Sequence, residues 1–573
     1  MDRPAFAVTC LAAALWASCS PPPPPPADDV KPGPIPTIQR TTLGEMPDVD
    51  IGHVLNHAEE LSADAFEGRA PGTEGEDLTV SYLIEQFRSM GLRPGNPNGT
   101  FSQRVPLVGL TTEGEPPLVL SKGSEERQLA WKDDVVAWSK HVAASATLEH
   151  SELVFVGYGV SAPEYGWDDY KDVDVKGKTL VMLIGDPPVP DSENPAELDP
   201  KVFGGRAMTY YGRWTYKFDV AAEKGAAGAL IVHDTQAASY PFSVVQSSNI
   251  AEKFDLVTPD KNMGRAAVEG WITSEQGRGI VAWAGQDFDR LKSAAATRQF
   301  TPVPLGITAS MTINNRLRTM DSRNVLARIE GRDPDLREQY IVYTAHWDHL
   351  GIGPAVNGDR IYNGARDNAL GVAGVLEIAR AFTKLPTPPK RSMVFIALTA
   401  EEQGLLGSAY YAMKPLYPLA QTAAAINLDG LNVHGRTRDM TLIGYGVSEL
   451  DDYARDATGE QGRIVRPDPQ PEKGSYYRSD HFNFARQGVP TLYAEEGVDY
   501  IGRPPDYART VREDWTTHDY HQPSDVVRRD WDLSGAREDL KVLFAVGYRV
   551  AEADRMPEWK PGSEFKRKPA EQK

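Results

Sequence analysis

Continuous apolar runs alternate with amphipathic segments in the second half of the chain. The runs YIVYTA, MVFIAL and AAAINL begin at residues 340, 393 and 423, and such runs are typical of strands buried on both faces of a parallel sheet. After the first run, apolar side chains recur at helical spacing, at Val372, Val375, Leu376, Ala379 and Phe382. Strands that alternate with helices predict an α/β fold with a mostly parallel mixed sheet sandwiched by helices.

Two helices are predicted near the start of this domain. They begin at Ile51 and lie around a turn that contains Gly and Pro. The second helix carries apolar residues at helical spacing from Val80 to Phe87 and is predicted to end at Gly91.

The sequence pattern changes between about residues 145 and 310. Short β-rich runs such as LVFVGYGV, KTLVMLIGD and AGALIVHD are separated by Gly and Pro, with a short helix predicted at DVAAEKGAAG. We interpret 145–310 as an inserted β-rich domain. It divides the main domain into a first part, 51–144, and a second part, 311–555, which a polar tail at 556–573 follows.

The first fifty residues have the character of an export signal and a tether. MDRPAFAVTCLAAALWASC has a short apolar stretch with small residues before Cys19, which predicts a signal peptide over 1–19 of the bacterial lipoprotein type, with Cys19 acylated. A plain secretory signal cut nearby is the alternative. Six prolines from Pro21 to Pro26 open a Pro-rich segment, and we interpret 20–50 as an extended tether. The sequence therefore predicts an exported protein, either in the bacterial cell envelope (lipoprotein or periplasmic) or secreted.

Composition excludes several kinds of partner and site. The net charge of −19 argues against a nucleic-acid partner, because phosphate binding needs clustered Lys and Arg. Cys10 and Cys19 are the only cysteines of the 573 residues, so the mature chain has neither disulfides nor Cys-ligated metal. Outside the signal no apolar run is long enough to span a bilayer, which leaves the lipid anchor as the one predicted membrane contact. The sequence does not indicate an oligomeric state.

Five polar motifs carry the candidate chemistry, and three of them directly follow a predicted strand. They are HWDH (346–349), NGARDN (363–368), TAEEQG (399–404), INLDG (426–430) and DYHQPSD (519–525). Each alone is weak evidence, but ligands of parallel α/β sheets gather beyond the carboxyl ends of the strands. Imidazole and carboxylate groups without thiolate suit zinc first, with manganese, cobalt or iron as alternatives. The number of ligands fits two ions that share one carboxylate and activate the water between them.

These motifs resemble the co-catalytic dizinc aminopeptidases, a family whose relatives include glutamate carboxypeptidase and the transferrin receptor. The resemblance covers roughly residues 55–110 and 320–550 and includes SDHFNFARQGVPTLYAEEG from Ser479. It implies a zinc-exopeptidase type of fold and two Zn²⁺ per chain, with five ligands: Asp367 bridging, His346 and Asp429 on one ion, Glu402 and His521 on the other.

The same resemblance implies catalytic roles and a reaction. Glu401 is the general base for a dizinc-bridged hydroxide, Asp348 is the acid that orients His346, and Tyr520 is a possible oxyanion or substrate contact. The expected activity is that of an aminopeptidase that hydrolyses N-terminal residues of peptide substrates. The segment YKFDVAAEKGAAGALIVHD from Tyr216 is similar to a protease-associated domain, which is non-catalytic and either gates substrate or forms a structural lid.

Alternatives remain open at this point. Arg366 stands beside Asp367, where relatives commonly carry an acidic or small residue. Its guanidinium either pairs with a substrate carboxylate, as in a carboxypeptidase or dipeptidase, or stabilises a loop. A non-catalytic, receptor-like member and a one-metal glutaminyl cyclase of the same fold are further alternatives, which the intact set of ligands and base disfavours.

Overall fold

The computed structural model describes residues 41–567 except residue 251. The predicted signal peptide, most of the tether and the last six residues lie outside the described residues. The helices of the described part are α1 Ile51–Leu61, α2 Glu74–Ser89, α3 Trp214–Glu223, α4 Thr235–Ala238, α5 Phe242–Ile250, α6 Ser274–Trp283, α7 Phe288–Ala295, α8 Leu370–Thr383, α9 Leu406–Met413, α10 Leu450–Glu460, α11 His481–Arg486, α12 Tyr507–His518 and α13 Ser534–Glu552. Between residues 41 and 567, no helix has the length and apolar character needed to cross a bilayer.

Most of the strands belong to one continuous sheet that runs through two lobes. The strands are β1 Arg93–Pro94, β2 Ser102–Glu113, β3 Leu118–Lys122, β4 Glu125–Leu129, β5 Val135–Trp138, β6 Ser145–Phe155, β7 Ser161–Ala162, β8 Trp167–Asp168, β9 Thr179–Leu183, β10 Gly228–Val232, β11 Lys253–Leu256, β12 Val268–Ile272, β13 Val303–Ile329, β14 Tyr340–His346, β15 Gly351–Val356, β16 Asp359–Tyr362, β17 Ser392–Leu398, β18 Thr422–Asn427, β19 Asp439–Ile443, β20 Ile464–Pro467 and β21 Thr491–Glu495.

The main lobe has the predicted α/β architecture. Its strands are ordered β13-β17-β14-β18-β21-β19-β20, and the four central strands β17, β14, β18 and β21 are parallel. Alternate residues of a strand face opposite sides of the sheet. Accordingly, Ile341 and Tyr343 of β14 pack with α1, α8 and α13, whereas Tyr340 and Val342 pack with residues of α9 and α11 on the other face. Because helices cover both faces, the apolar runs read from the sequence are confirmed as buried strands.

The second lobe contains the segment 145–310 that was predicted as an inserted domain, but the lobe begins earlier than that segment. Its sheet is ordered β5-β12-β10-β9-β6-β13-β3-β4, and one apolar core extends from Leu118 to Ile313. The lobe therefore begins near residue 118 and not at 145. The strands β3, β4 and β5 are short, and β3 and β5 pair with β13 and β12, which lie more than 130 residues away, so the local pattern did not reveal them.

The two lobes share strand β13, whose first half pairs with β6 in the inserted lobe and whose second half pairs with β17 in the main lobe. A small apolar cluster also joins them. Leu256 of β11 packs there with Ala400 and Leu406 of the main lobe. Since Ala400 directly precedes Glu401, the inserted lobe supports the turn that carries two candidate site residues.

Two boundary predictions at the chain ends are also wrong. The last part of the predicted tether, residues 41–50, is packed, because Leu43, Met46 and Val49 lie buried in the main core. The predicted polar tail also packs, over residues 556–567. There Phe565 stacks on Tyr476, and the Arg567 guanidinium donates to backbone carbonyls of β18. Isolated apolar residues in polar sequence gave no local signal of this packing.

Candidate metal centre

The parallel strands bring most of the predicted site residues to one edge of the main sheet. His346 is the last residue of β14, Glu401 and Glu402 follow β17, and Asp429 follows β18. Asp367 lies in the turn before α8, and His521 lies in the loop after α12. Residues that are up to 175 positions apart in sequence thus meet at the carboxyl ends of the strands, where the sequence predicted them.

Asp367 occupies the middle of this cluster. Its Oδ1 lies 3.3 Å from His346 Nε2, and its Oδ2 lies 3.4 Å from His521 Nε2. Asp429 Oδ1 lies 3.3 Å from the same His346 nitrogen, and Glu402 Oε2 lies 3.0 Å from the same His521 nitrogen. One carboxylate therefore faces two separate groups, each with one imidazole and one further carboxylate.

These spacings fit metal ligands better than hydrogen-bonded pairs. Two donors that bind one zinc tetrahedrally at about 2.0–2.1 Å lie roughly 3.3 Å apart. His521 Nε2 is buried and, within the described residues, has no hydrogen-bond partner although Glu402 is close. His346, Asp367 and Glu402 form one set that offers ligand atoms within 4.8 Å of one another, and His346, Glu401 and Asp429 form another. The residues present therefore fit a bound divalent cation.

The carboxylates of the cluster hold positive charge on both histidines when no cation is present. Burial lowers the pKa of His346, but Glu401 and Asp429 raise it well above its usual value. Burial likewise opposes protonation of His521, whereas Glu402 and Asp367 raise its pKa to about 10. Anionic groups this closely spaced require a cation, which protons supply in the metal-free protein.

Asp348 lies beneath the Glu401–Glu402 turn. Its Oδ1 accepts the backbone N–H of Glu401 at 3.0 Å, and its Oδ2 lies 3.4 Å from the N of Glu402. The His346 Nδ1 lies 3.1 Å from the backbone carbonyl of Asp348 and 3.9 Å from its carboxylate. The predicted contact with His346 is therefore made by the main chain, because the carboxylate is engaged by the two backbone N–H groups.

Ser479 is a site residue to which the sequence gave no role. Its hydroxyl donates to Asp429 Oδ2 at 2.6 Å, and Asn427 Nδ2 donates to the same hydroxyl at 2.7 Å. Thr344 in turn donates to Asn427 Oδ1 at 2.6 Å. This chain of hydrogen bonds fixes the carboxylate of Asp429, and such supporting contacts orient metal ligands.

Arg69 is a second residue that sequence reasoning missed. Its buried guanidinium donates to the carbonyls of Trp347, Leu61, Asn363 and Gly364 at 2.6–2.8 Å. It thereby joins the HWDH and NGARDN loops that carry His346 and Asp367. Three of the four carbonyl acceptors lie far from Arg69 in sequence, so only the folded chain reveals this arrangement.

Two residues of the named motifs also acquire roles. His349 Nδ1 lies 2.6 Å from Glu402 Oε1, and its ring lies 5.6 Å from that of His521. Asp525 accepts the backbone N–H groups of Arg366 at 3.0 Å and Asp367 at 3.1 Å. His349 therefore orients Glu402, and Asp525 holds the turn that carries Asp367.

The guanidinium of Arg366 contacts other side chains of the protein, which does not support the substrate contact that the sequence allowed. Its Nη2 donates to Glu496 at 2.8 Å, and the group stacks over the ring of Trp515 at 4.4 Å. This arrangement favours the loop-stabilising alternative.

Tyr520 is exposed and stacks on His521 with ring centroids 3.9 Å apart, so its phenol borders the cluster.

Comparisons with known proteins find similarity to peptidases. Residues 324–545 match the family model described as Peptidase family M28, and this range contains every predicted site residue. A "Probable zinc metalloprotease" of Pyricularia oryzae is 31% identical over 179 residues, which cover 30% of this chain and 29% of that protein. A "probable leucine aminopeptidase 2" of Aspergillus oryzae is 24% identical over 368 residues, which cover 64% of this chain and 55% of that protein. The chain thus aligns with less than two thirds of the length of these relatives.

A solved structure gives a further likeness. "Aminopeptidase from Aneurinibacillus sp. strain AM-1" has a TM-score of 0.49 and 19% identity, covering 91% of this chain and 98% of that one. The resemblance predicted from the five motifs is confirmed by the match to peptidase family M28, which extends over 324–545.

Proposed function

We propose, from the match of residues 324–545 to peptidase family M28, that this protein is a zinc-dependent exopeptidase, and in particular an aminopeptidase that removes N-terminal residues from peptides. The observation that carries the proposal is the placement of Asp367, whose two oxygens face His346 and His521 at 3.3 and 3.4 Å. A carboxylate between two imidazole–carboxylate pairs suits hydrolysis assisted by two metal ions. Relatives named as aminopeptidase support the reaction class.

Two divalent cations would be held by the five ligands. His346 and Asp429 would hold one, Glu402 and His521 the other, and Asp367 would contact both. Zinc is the first expectation, because the ligands are imidazole and carboxylate, and manganese, cobalt and iron remain alternatives. When bound, such ions acidify water and polarise the scissile carbonyl.

Glu401 is the residue to which we assign proton transfer. Its carboxylate lies 4.0 Å from His346 Nε2, farther than the 3.3 Å of Asp429, and its backbone is fixed by Asp348. Its side chain remains 11% exposed, so solvent reaches it. We assign Glu401 to take a proton from the attacking water and to return it to the leaving amine. Tyr520 borders the site and would contact the substrate or the developing oxyanion.

Metal content and exopeptidase activity test this proposal together. Protein purified without chelator should contain close to two zinc ions per chain and should release the N-terminal residue of unblocked peptides. Removal of the metal should abolish turnover, and zinc should restore it. Hydrolysis of N-blocked peptides instead of free ones would favour the carboxypeptidase alternative, whereas one zinc per chain after loading would favour the cyclase-like arrangement.

Two further proposals concern location and the inserted lobe. We propose that the chain is exported and that its mature form begins at or near Cys19, as the apolar segment before Cys19 indicates. Mass spectrometry of the natural N-terminus should find a lipid-modified Cys19; an intact Met1 would contradict export. We also propose that the inserted lobe is a protease-associated domain, and its packing against Ala400 supports a role beside the metal centre.

A further inference from the structure

The two histidines of the metal centre are held in different ways. His346 ends the buried strand β14, its side chain is only 2% exposed, and its Nδ1 lies 3.1 Å from a backbone carbonyl. The side chain of His521 is 33% exposed and belongs to the loop after α12. That helix buries none of its 12 residues, so it is not anchored by core side chains. The position of His521 therefore depends on a few specific contacts.

The backbone of His521 also needs support from its surroundings. Its φ of 59° lies in the left-handed region, which a non-glycine residue keeps only where neighbouring structure holds it. The carbonyl of Trp515 gives part of this support, because the backbone N–H groups of Asp519 and Tyr520 both donate to it at 2.9 Å. Arg528 donates to the carboxylate of Asp519 at 2.5 Å. These contacts fix the main chain before His521 and leave the orientation of its ring to other groups.

A continuous stack of side chains leads from the His521 ring back to the turn of Asp367. The Tyr520 ring stacks on His521 with centroids 3.9 Å apart, and Trp515 packs on Tyr520 at 5.0 Å. The Arg366 guanidinium lies 4.4 Å from the centroid of the Trp515 ring, which is within the range of a cation–π contact. Arg366 directly precedes Asp367, whose Oδ2 lies 3.4 Å from His521 Nε2. The stack and the two ligands thus form a closed circuit.

Arg366 is fixed to the main lobe at the far end of this stack. The residue is buried, its Nη2 donates to Glu496 at 2.8 Å, and its backbone N–H donates to Asp525 at 3.0 Å. Arg366 Nη1 and Trp515 Nε1 are buried, and in the described part of the chain neither has a hydrogen-bond partner. Unpaired buried donors are costly, so the contact between guanidinium and ring must offset that cost. Trp515 is therefore held through the face of its ring.

A cavity beside α12 separates much of this helix from the main lobe. It has a volume of about 220 Å³ and is lined by Tyr507, Val511 and Trp515 of the helix and by main-lobe residues that include Val433. At the start of the helix, Tyr507 packs on Tyr500 with ring centroids 5.2 Å apart. The last turn, which leads to His521, is connected to the main lobe by the stack.

We propose that Trp515 is a positioning residue, which holds His521 at the right distance and orientation from Asp367. It would thereby set the affinity of the metal position formed by Glu402 and His521, without contacting metal or substrate. Contacts that orient a metal ligand typically change metal affinity about 10- to 100-fold. This proposal rests on the arrangement of two cations proposed above.

Zinc binding by Trp515 variants tests the proposal. The full chain, stripped of metal and reloaded with zinc, would be titrated with a colorimetric chelator that resolves the two ions. In Trp515→Ala one ion should bind about 10- to 100-fold more weakly, and the other should keep its wild-type affinity. Trp515→Phe keeps an aromatic face and should retain most of the affinity, whereas Trp515→Leu keeps only apolar volume and should not.

Hydrogen exchange of the metal-free protein gives a second readout. The backbone amides of residues 516–525 should exchange faster in Trp515→Ala than in wild type, and Trp515→Phe should restore the slower exchange. Tyr507→Ala is the matched control, because Tyr507 lies about two turns earlier on the same helix and outside the stack. It should leave both zinc affinities unchanged.

Two results would overturn the positioning role. They are unchanged affinity for both ions in Trp515→Ala and an equal loss of affinity in Tyr507→Ala, which would reflect a general effect on α12. Failure of the exopeptidase function would look different. Wild type would then bind two zinc ions without hydrolysing unblocked peptides, while the Trp515 variants would still differ in zinc affinity and in hydrogen exchange.

Discussion

Glu401→Gln and Glu402→Gln should change the stability of the metal-free protein in opposite directions. The two residues are adjacent and chemically alike, so each variant is a control for the other. Burial raises the pKa of Glu401 well above its usual value, and Glu402 and Asp429 raise it further. A raised carboxyl pKa means that ionisation at neutral pH destabilises the folded state. Glutamine removes this charge, and we expect the free energy of unfolding to rise by about 1–3 kcal/mol, the cost of an unsatisfied buried polar group.

Glu402 should show the reverse effect. Burial would raise its pKa, but His521 and His349 outweigh burial and lower it from 4.5 to about 2. Since the pKa falls on folding, the ionised group stabilises the protein above about pH 4.5, and this contribution disappears as the pH falls towards 2. The shift corresponds to at most roughly 3 kcal/mol at neutral pH. Glu402→Gln should therefore lower the free energy of unfolding by about 1–3 kcal/mol at pH 7.

The assay combines urea unfolding of chelator-treated protein with zinc content and turnover of the loaded protein. Loaded Glu401→Gln should keep both metals and lose about 10²–10⁴-fold in kcat, as expected for loss of a general base. Loaded Glu402→Gln should lose metal first. Destabilisation of similar size in both metal-free variants would refute the electrostatic reasoning. Loss of metal in Glu401→Gln with full occupancy in Glu402→Gln would reverse the two roles.

Three further changes test supporting residues. Ser479→Ala should weaken zinc binding about 10- to 100-fold in chelator competition, because Asp429 loses the hydroxyl that orients it, and an unchanged affinity would contradict that role. Arg69→Met should lower the free energy of unfolding by about 3 kcal/mol or more in urea, because four carbonyls lose their donor, and a loss under about 1 kcal/mol would show that water replaces it. Burial lowers the pKa of His57 to about 4, so stability should be full above about pH 6.5 and fall as the pH drops towards 4. His57→Gln should flatten that part of the pH profile, and an unchanged slope would refute the assignment.

The sequence alone determined the layers of the main lobe and the place of its site. Apolar runs without polar interruption belong in a parallel sheet that is covered on both faces, and the carboxyl ends of parallel strands meet at one edge. For this reason the motifs that follow β14, β17 and β18 had to lie close together. The alternation between residues packed on one face and on the other follows from strand geometry and needed no knowledge of the partners.

Only the tertiary structure decided which atoms meet within that edge. Asp367 faces a histidine with each oxygen because its turn is held by Asp525, 158 residues later in the chain. Arg69 reaches the loop of Asn363 across 294 residues. Such contacts leave no local pattern, because spacing along the chain encodes the face of an element but not its distant neighbour. The true start of the inserted lobe near Leu118 was hidden for the same reason, since its short strands are stabilised by partners far away in sequence.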